Sequence, residues 1–128
     1  MTHIRFHRDT KGRITAFEAQ GHSGAAPHGE DVVCAALSAL LQAAAFSLEF
    51  YDDRVSSQIA PGHLLCTIPE GVSHSEEIHT VLLHTLLAIM NIALLQPQYV
   101  TLVIGELPQW QQLWQGDQVL TVLRQVFL

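Results

Sequence analysis

The stretch GHSGAAPHGEDVVCAALSAL, residues 21–40, joins a glycine-rich loop directly to an apolar helix. Apolar residues recur at helical spacing from Val32, and the aspartate that precedes them is among the favoured N-cap residues. We therefore predict that the first helix begins after Asp31 and runs to about Tyr51. It is alanine-rich and nearly apolar all round, which indicates a central, buried helix on which the rest of the chain packs.

Two β-hairpins flank this helix in the sequence. Alternation of apolar and polar side chains predicts the first hairpin over residues 2–8 and 14–19, and the second over residues 54–59 and 63–68. Ala60, Pro61 and Gly62 form the predicted turn of the second hairpin. In the second strand of the first hairpin, three apolar side chains compete for the buried face: Ile14, Ala16 and Phe17.

A second long helix and a last strand complete the predicted core. The helix is capped by Ser73 or Ser75 and runs to about Leu95, and the strand covers residues 99–104. We predict an α/β fold of order β-β-α-β-β-α-β. It is a two-layer sandwich in which a mostly antiparallel sheet carries both long helices on one face.

The length of 128 residues suits one domain. Residues 1–105 form the predicted core domain, and residues 106–128 form a C-terminal extension with apolar side chains at helical spacing. Such an extension must bury its apolar face, either on the same domain or on a dimer partner.

Composition restricts the function classes. The net charge of −6 argues against a nucleic-acid binder and is compatible with a basic protein partner. Two cysteines make no disulfide framework, and nothing resembling a signal peptide precedes them, so we predict free thiols in the cytoplasm. The two apolar helices contain polar residues and lack basic flanks. We interpret them as buried helices and expect no membrane partner.

A candidate catalytic pair, His22 and Cys34, lies in the opening stretch. Cys34 falls in the first turn of the helix, where unpaired N–H groups and the macrodipole favour a thiolate, although the charge of Asp31 opposes it. Thiol proteolysis needs a thiolate nucleophile, an imidazole that holds and returns the proton, and backbone N–H donors for the oxyanion. Asp31 either caps the helix or orients His22. Ser38, one turn beyond Cys34, either bonds a backbone carbonyl or helps to position the site.

The same stretch resembles a known protein family. A G-H-small-G loop followed by G-x-D-[IV]-V-C-A-A-x-S is closely similar to the ribosomal-processing cysteine proteases, small bacterial proteins often named Prp. The matching positions are Gly21, His22, Gly24, Gly29, Asp31, Val33, Cys34, Ala35 and Ser38. Downstream, QPQYVTLVI at residues 96–104 is similar to the family's Tyr-Pro-x-Tyr-Val segment, with Gln96 in place of the first tyrosine.

The resemblance implies a cysteine endopeptidase whose catalytic dyad is His22 and Cys34, with Gly21, Gly24 and Gly29 in the substrate loop. It implies removal of a short N-terminal extension from a large-subunit ribosomal protein, without a cofactor or metal, by a homodimer. The substrate is then a flexible basic peptide with aromatic residues just before the cleaved bond. An acidic, apolar-lined groove over the thiol would fit it.

Three alternatives stay open. A non-catalytic module could bind or help to assemble a ribosomal protein without a reactive thiol. A zinc site could use His22, His28, Asp31 and Cys34, although their spacing matches no common pattern. Cys34 could also be a redox sensor, although no resolving cysteine lies near it in sequence. The second cysteine, Cys66, is interpreted as a packed core thiol in a strand.

Overall fold

The computed structural model of the protein describes residues 1–22, 24, 26–27, 31–72 and 75–128. Its elements follow the predicted order and continue into the tail. They are β1 (Thr2–Arg8), β2 (Ile14–Gln20), α1 (Val32–Tyr51), β3 (Ser56–Ala60), β4 (His63–Thr67), α2 (Glu76–Leu95), β5 (Val100–Ile104), a 3₁₀ helix (Trp110–Trp114) and α3 (Val119–Phe127). The predicted bounds of the first helix are confirmed at both ends. The second helix is capped by Ser75, whose hydroxyl accepts a hydrogen bond from the N–H of Ile78 at 3.3 Å, while Ser73 lies outside the described residues.

The five strands form one mixed sheet in the order β3-β4-β2-β1-β5. β1 and β5 are parallel, and the other neighbouring pairs are antiparallel, so the prediction of a mostly antiparallel sheet is confirmed. Pairing of β4 with β2 sets Gln20 opposite His63. The turn between β3 and β4 therefore lies next to the end of β2, where the glycine-rich loop begins.

The core lies between the sheet and the helices. Ile4 and Phe6 of β1 face it, and the Phe6 ring stacks on the Phe17 ring with centroids 5.5 Å apart. Ile14 and Phe17 are both buried on β2, while Ala16 is only partly buried. Residues three apart normally face opposite sides of a strand. A shift in the β1–β2 register, between His7 and Arg8 and next to the turn that joins the two strands, allows both to point inward.

Both long helices are apolar and long enough, by length and composition alone, to cross a membrane. In the structure each packs a buried face into the core. The buried residues of α1 are Leu37, Leu41, Ala44, Ala45 and Leu48. Those of α2 are Ile78, Leu82, Thr85, Leu86, Ile89, Met90 and Ala93.

The tail packs on the core of the same chain. Trp110 is 2% exposed, and its indole N–H donates a hydrogen bond to the carbonyl of Leu102 at 2.8 Å. Leu123 of α3 is also buried, and the Arg8 guanidinium lies 5.6 Å from the centroid of the Phe127 ring. The 3₁₀ helix and α3 thus extend the hydrophobic core beyond β5.

Asp52, which caps the C-terminus of α1, provides a test of electrostatic stabilisation. Its carboxylate accepts hydrogen bonds from the Arg54 side chain, at 3.0 and 2.7 Å, and from the Arg54 backbone N–H, and these bonds lower its pKa from 3.8 to about 2. A carboxyl whose pKa is lower in the folded than in the unfolded state stabilises the fold at any pH above its unfolded-state pKa. That stabilisation is lost as the pH falls through the folded-state pKa.

We expect Asp52→Asn to be less stable than the wild type near neutral pH. The difference in free energy of unfolding should shrink as pH falls from about 4 and vanish below about 2. Urea unfolding at several pH values measures it, with the neighbouring Asp53→Asn as the control. A difference that persisted below this pH window would contradict the ion pair as the cause.

Candidate active site

Cys34 lies in the first turn of α1, where the sequence predicted it. The N-cap is Asp31, whose Oδ1 accepts a hydrogen bond from the backbone N–H of Cys34 at 2.9 Å. The predicted capping role of Asp31 is therefore confirmed. This bond also occupies the N–H of Cys34, which is no longer available to an oxyanion.

His22 faces Cys34 from the loop that follows β2. Its Nδ1 lies 4.0 Å from the Cys34 Sγ, although the two residues are twelve positions apart. Gly21 turns the chain into this position with a φ of 90°, and a Cβ there would come within 2.5 Å of the carbonyl oxygen of Met1. Only glycine fits both the backbone conformation and this close approach. The structure thus brings the predicted histidine and cysteine to hydrogen-bonding distance for sulfur.

The other predicted site residues lie near this pair or outside the described part. Ser38 is exposed one turn beyond Cys34, and both residues line a groove that is described below. Gly24 is exposed, with a φ of 72°. Gly29, proposed for the substrate loop, lies outside the described residues. His28, one ligand of the zinc alternative, does too, and the described residues contain no group of three or more side chains suited to a metal.

A groove with a volume of about 390 Å³ opens beside His22 and Cys34. One wall is the first part of α1, and the other is the β3–β4 hairpin. The apolar side chains along it are Ala19, Leu37, Leu41, Ile59, Ala60, Pro61 and Leu64. The expectation of an apolar lining is confirmed, but that of an acidic lining is wrong for the described residues. Asp31 is not among the described lining residues, and its Oδ1 accepts the N–H of Cys34.

The hairpin wall was not foreseen from the sequence. Residues 59–64 carry no charged catalytic motif, and only the pairing of β4 with β2 places their turn beside His22. The Pro61–Gly62 dipeptide indicates a turn, but it does not indicate that this turn lies beside His22. Sequence patterns of this kind are local, whereas this contact joins segments about forty residues apart.

Cys66 is a core thiol, as predicted. It is 1% exposed and lies on β4. Burial, with a smaller contribution from the charge of Glu49, raises the pKa of this thiol to about 12. A thiol with so high a pKa is protonated near neutral pH and is a poor nucleophile. Cys34, partly exposed and next to an imidazole, is the better candidate.

Two substitutions test the capping role of Asp31. Because alanine cannot accept the Cys34 N–H, we expect Asp31→Ala to lower the free energy of unfolding by about 1 kcal/mol. Asparagine caps helices as well as aspartate, so Asp31→Asn should retain most of the stability. Chemical denaturation of the two variants measures the difference. Equal losses would show that the carboxylate charge, and not the cap, stabilises the structure.

Comparisons with known proteins agree with this geometry. The sequence matches the family described as cysteine protease Prp over residues 1–101, which include both His22 and Cys34. The chain belongs to the Prp family of cysteine proteases. The predicted family and the predicted enzyme class are therefore confirmed.

Solved structures share the fold. SMU.848 from Streptococcus mutans is 30% identical, with a TM-score of 0.68 over 81% of this chain and 93% of that one. The essential ribosomal processing protease Prp from Staphylococcus aureus, with a covalently linked product peptide, is 19% identical, with a TM-score of 0.74 over 82% of this chain and 100% of that one. The same protease with a substrate peptide is 18% identical, with a TM-score of 0.69 over the same shares. No curated protein sequence matches.

Proposed function

We propose that this cysteine protease removes a short N-terminal extension from a large-subunit ribosomal protein, with Cys34 as nucleophile and His22 as proton carrier. The observation that carries the proposal is the 4.0 Å approach of Nδ1 to Sγ at the edge of the groove. The substrate class is inferred from the Prp of Staphylococcus aureus, which is a ribosomal processing protease.

The proposed reaction has two stages. The imidazole of His22 takes the proton of the Cys34 thiol, and the sulfur attacks the scissile carbonyl carbon to form a tetrahedral intermediate. The C–N bond then breaks, the imidazolium gives its proton to the leaving amine, and a thioester to Cys34 remains. Water, deprotonated by the same imidazole, attacks the thioester, and the carboxylate product leaves as the thiol is restored.

The oxyanion needs donors other than the N–H of Cys34. Asp31 accepts that N–H in the structure, so it is not available unless the cap opens. The backbone at the start of α1 still offers N–H groups and the positive end of the helix dipole close to Sγ. We propose that the oxyanion lies at this end of the groove.

The groove suits the proposed peptide. Its apolar walls can receive aromatic side chains that precede the cleaved bond. The net charge of −6 favours the approach of a basic chain. This attraction comes from the protein as a whole, because none of the described residues that line the groove is acidic. The same charge disfavours a nucleic acid as direct partner, and we propose a cytoplasmic location, where the substrate is made.

The dyad is tested by the rate at which Cys34 is alkylated by iodoacetamide, followed by mass spectrometry across pH. We expect His22→Ala to slow alkylation near neutral pH and to abolish cleavage of a peptide that spans the extension. His84→Ala, an exposed position on α2, is the matched control and should match the wild type. If the rate of Cys34 alkylation is the same in the wild type and in His22→Ala, and the wild type does not cleave the peptide, the results would favour a non-catalytic binding module.

We also propose that the enzyme is a homodimer formed through the outer face of α1. On the side of this helix opposite the core, Val32 is 79% exposed, Phe46 61% and Phe50 83%. Ala39 and Ala43, between them, are exposed too. The stripe is apolar along its whole length, and small residues in its middle allow close approach of a second helix.

The outer face of α2 provides the comparison. Its exposed positions include Glu77, Thr80, His84 and Asn91, as expected of a helix that faces water. Sedimentation velocity tests the proposal: we expect a dimer, and a monomer for Phe50→Glu. A wild type that sediments as a monomer at assay concentrations would overturn it.

A further inference from the structure

The turn between β3 and β4 lies against the imidazole of His22. The N–H of Gly21 donates a hydrogen bond to the carbonyl of Gly62 at 2.9 Å, which fixes the residue before the histidine to the turn. The turn has the sequence Pro61–Gly62, and Gly62 has a φ of 70°. Proline followed by glycine at positive φ is the combination that type II turns use.

The ring of His22 lies directly against the position that a Cβ at residue 62 would take. A Cβ on Gly62 would lie 3.1 Å from Nε2, 3.6 Å from Cε1 and 3.7 Å from Cδ2. The opposite side of the ring presents Nδ1 to the sulfur of Cys34 at 4.0 Å. The imidazole is therefore held between the cysteine and the glycine. A methyl group added at residue 62 would push the ring or the turn by a few tenths of an ångström, and a larger side chain would displace it further.

We propose that Gly62 is a positioning residue for His22. Its lack of a side chain lets the imidazole lie against the turn with Nδ1 aimed at Cys34. This inference rests on the proposed function, because it matters only if His22 moves protons for Cys34. It adds to that function a residue from a different hairpin, outside the loop-helix stretch that carries the dyad.

A substitution at Gly62 has two effects that must be separated. One is the cost of a side chain at positive φ, and the other is the contact with His22. Gly71 isolates the first effect, since it has a φ of 87° and a Cβ added there would meet no atom of the described residues within 4 Å. Gly71→Ala thus applies comparable backbone strain at a site remote from the imidazole.

Asparagine separates the two effects in another way. It adopts positive φ more readily than alanine, but it is larger. If Gly62 serves only the turn, Gly62→Asn should be better tolerated than Gly62→Ala. If Gly62 makes room for His22, the order of activity is reversed, with asparagine the more harmful.

The experiment measures thermal unfolding, kcat for peptide cleavage and the rate of Cys34 alkylation by iodoacetamide at several pH values. The proteins compared are the wild type, His22→Ala, Gly62→Ala, Gly62→Asn and Gly71→Ala. We expect Gly71→Ala to keep the wild-type kcat and pH profile. Displacement of the ring should lower kcat by about threefold in Gly62→Ala and by about tenfold or more in Gly62→Asn. Both variants should shift the alkylation profile toward that of His22→Ala while remaining folded.

Two outcomes would overturn the inference. If folded Gly62→Asn matches or exceeds Gly62→Ala in kcat and both keep the wild-type pH profile, the glycine serves the turn alone. If wild-type alkylation and cleavage do not depend on His22, the proposed function fails and this inference fails with it. The His22→Ala measurement distinguishes the two cases.

Discussion

Cys34→Ala is expected to lower kcat for peptide cleavage by about 10⁴-fold or more, because it removes the atom that forms the thioester. Cys34→Ser should show no measurable cleavage either, since a hydroxyl is far less acidic than a thiol and gives up its proton to an imidazole much less readily. The assay is separation of the cleaved peptide by liquid chromatography with mass detection. The fold should survive, because the side chain of Cys34 is partly exposed and is not part of the core.

Cys66→Ala is the matched control for this prediction. It removes the other thiol of the chain, which is buried and whose pKa is raised to about 12. We expect kcat close to that of the wild type and a modest loss of stability from the small cavity. Cleavage by Cys34→Ala, or complete loss of cleavage by a folded Cys66→Ala, would show that the nucleophile is not Cys34 and contradict the mechanism.

Local signals in the sequence were sufficient for the helices. Asp31 directly precedes the apolar run that begins at Val32 and caps the first helix, and Ser75, one of the two predicted caps, caps the second. Strand positions were also predicted within one or two residues, because alternation is a local property. The choice of Phe17 over Ala16 for the core was not local: it depends on a shift in register against β1.

Part of the candidate site could be predicted from local sequence, and part depends on contacts between distant segments. His22 and Cys34 lie in one short stretch, so their types and spacing were visible in the sequence, and the fold brings them together. The hairpin wall of the groove depends on β4 lying beside β2, a contact that no local pattern specifies. Gly62 was therefore assigned only a turn from the sequence, and its contact with the imidazole required the structure.

The tail shows a third kind of limit. Its apolar spacing established that residues 106–128 bury a face, but not against what. In the structure Trp110 enters the core of the same chain and its N–H pairs with a β5 carbonyl. Because the family match ends at residue 101, this packing belongs to a part of the chain for which the family gives no expectation.

Trp110→Ala is expected to lower the free energy of unfolding by about 3–5 kcal/mol, as for other large aromatic residues removed from a core. The side chain is 2% exposed, so nearly all its contacts are lost. Trp110→Phe should cost less, about 1–2 kcal/mol, since it keeps most of the apolar volume but leaves the Leu102 carbonyl without its indole donor. Urea unfolding followed by circular dichroism measures both.

Trp114→Phe is the matched control, because the buried indole N–H of Trp114 has no hydrogen-bond partner among the described residues. Removing an unpaired buried donor relieves a desolvation cost, so this variant should be close to neutral or slightly stabilising. The contrast between the two phenylalanine variants separates the hydrogen bond from ring size. A neutral Trp110→Ala would contradict the contribution of the tail to the stability of the core.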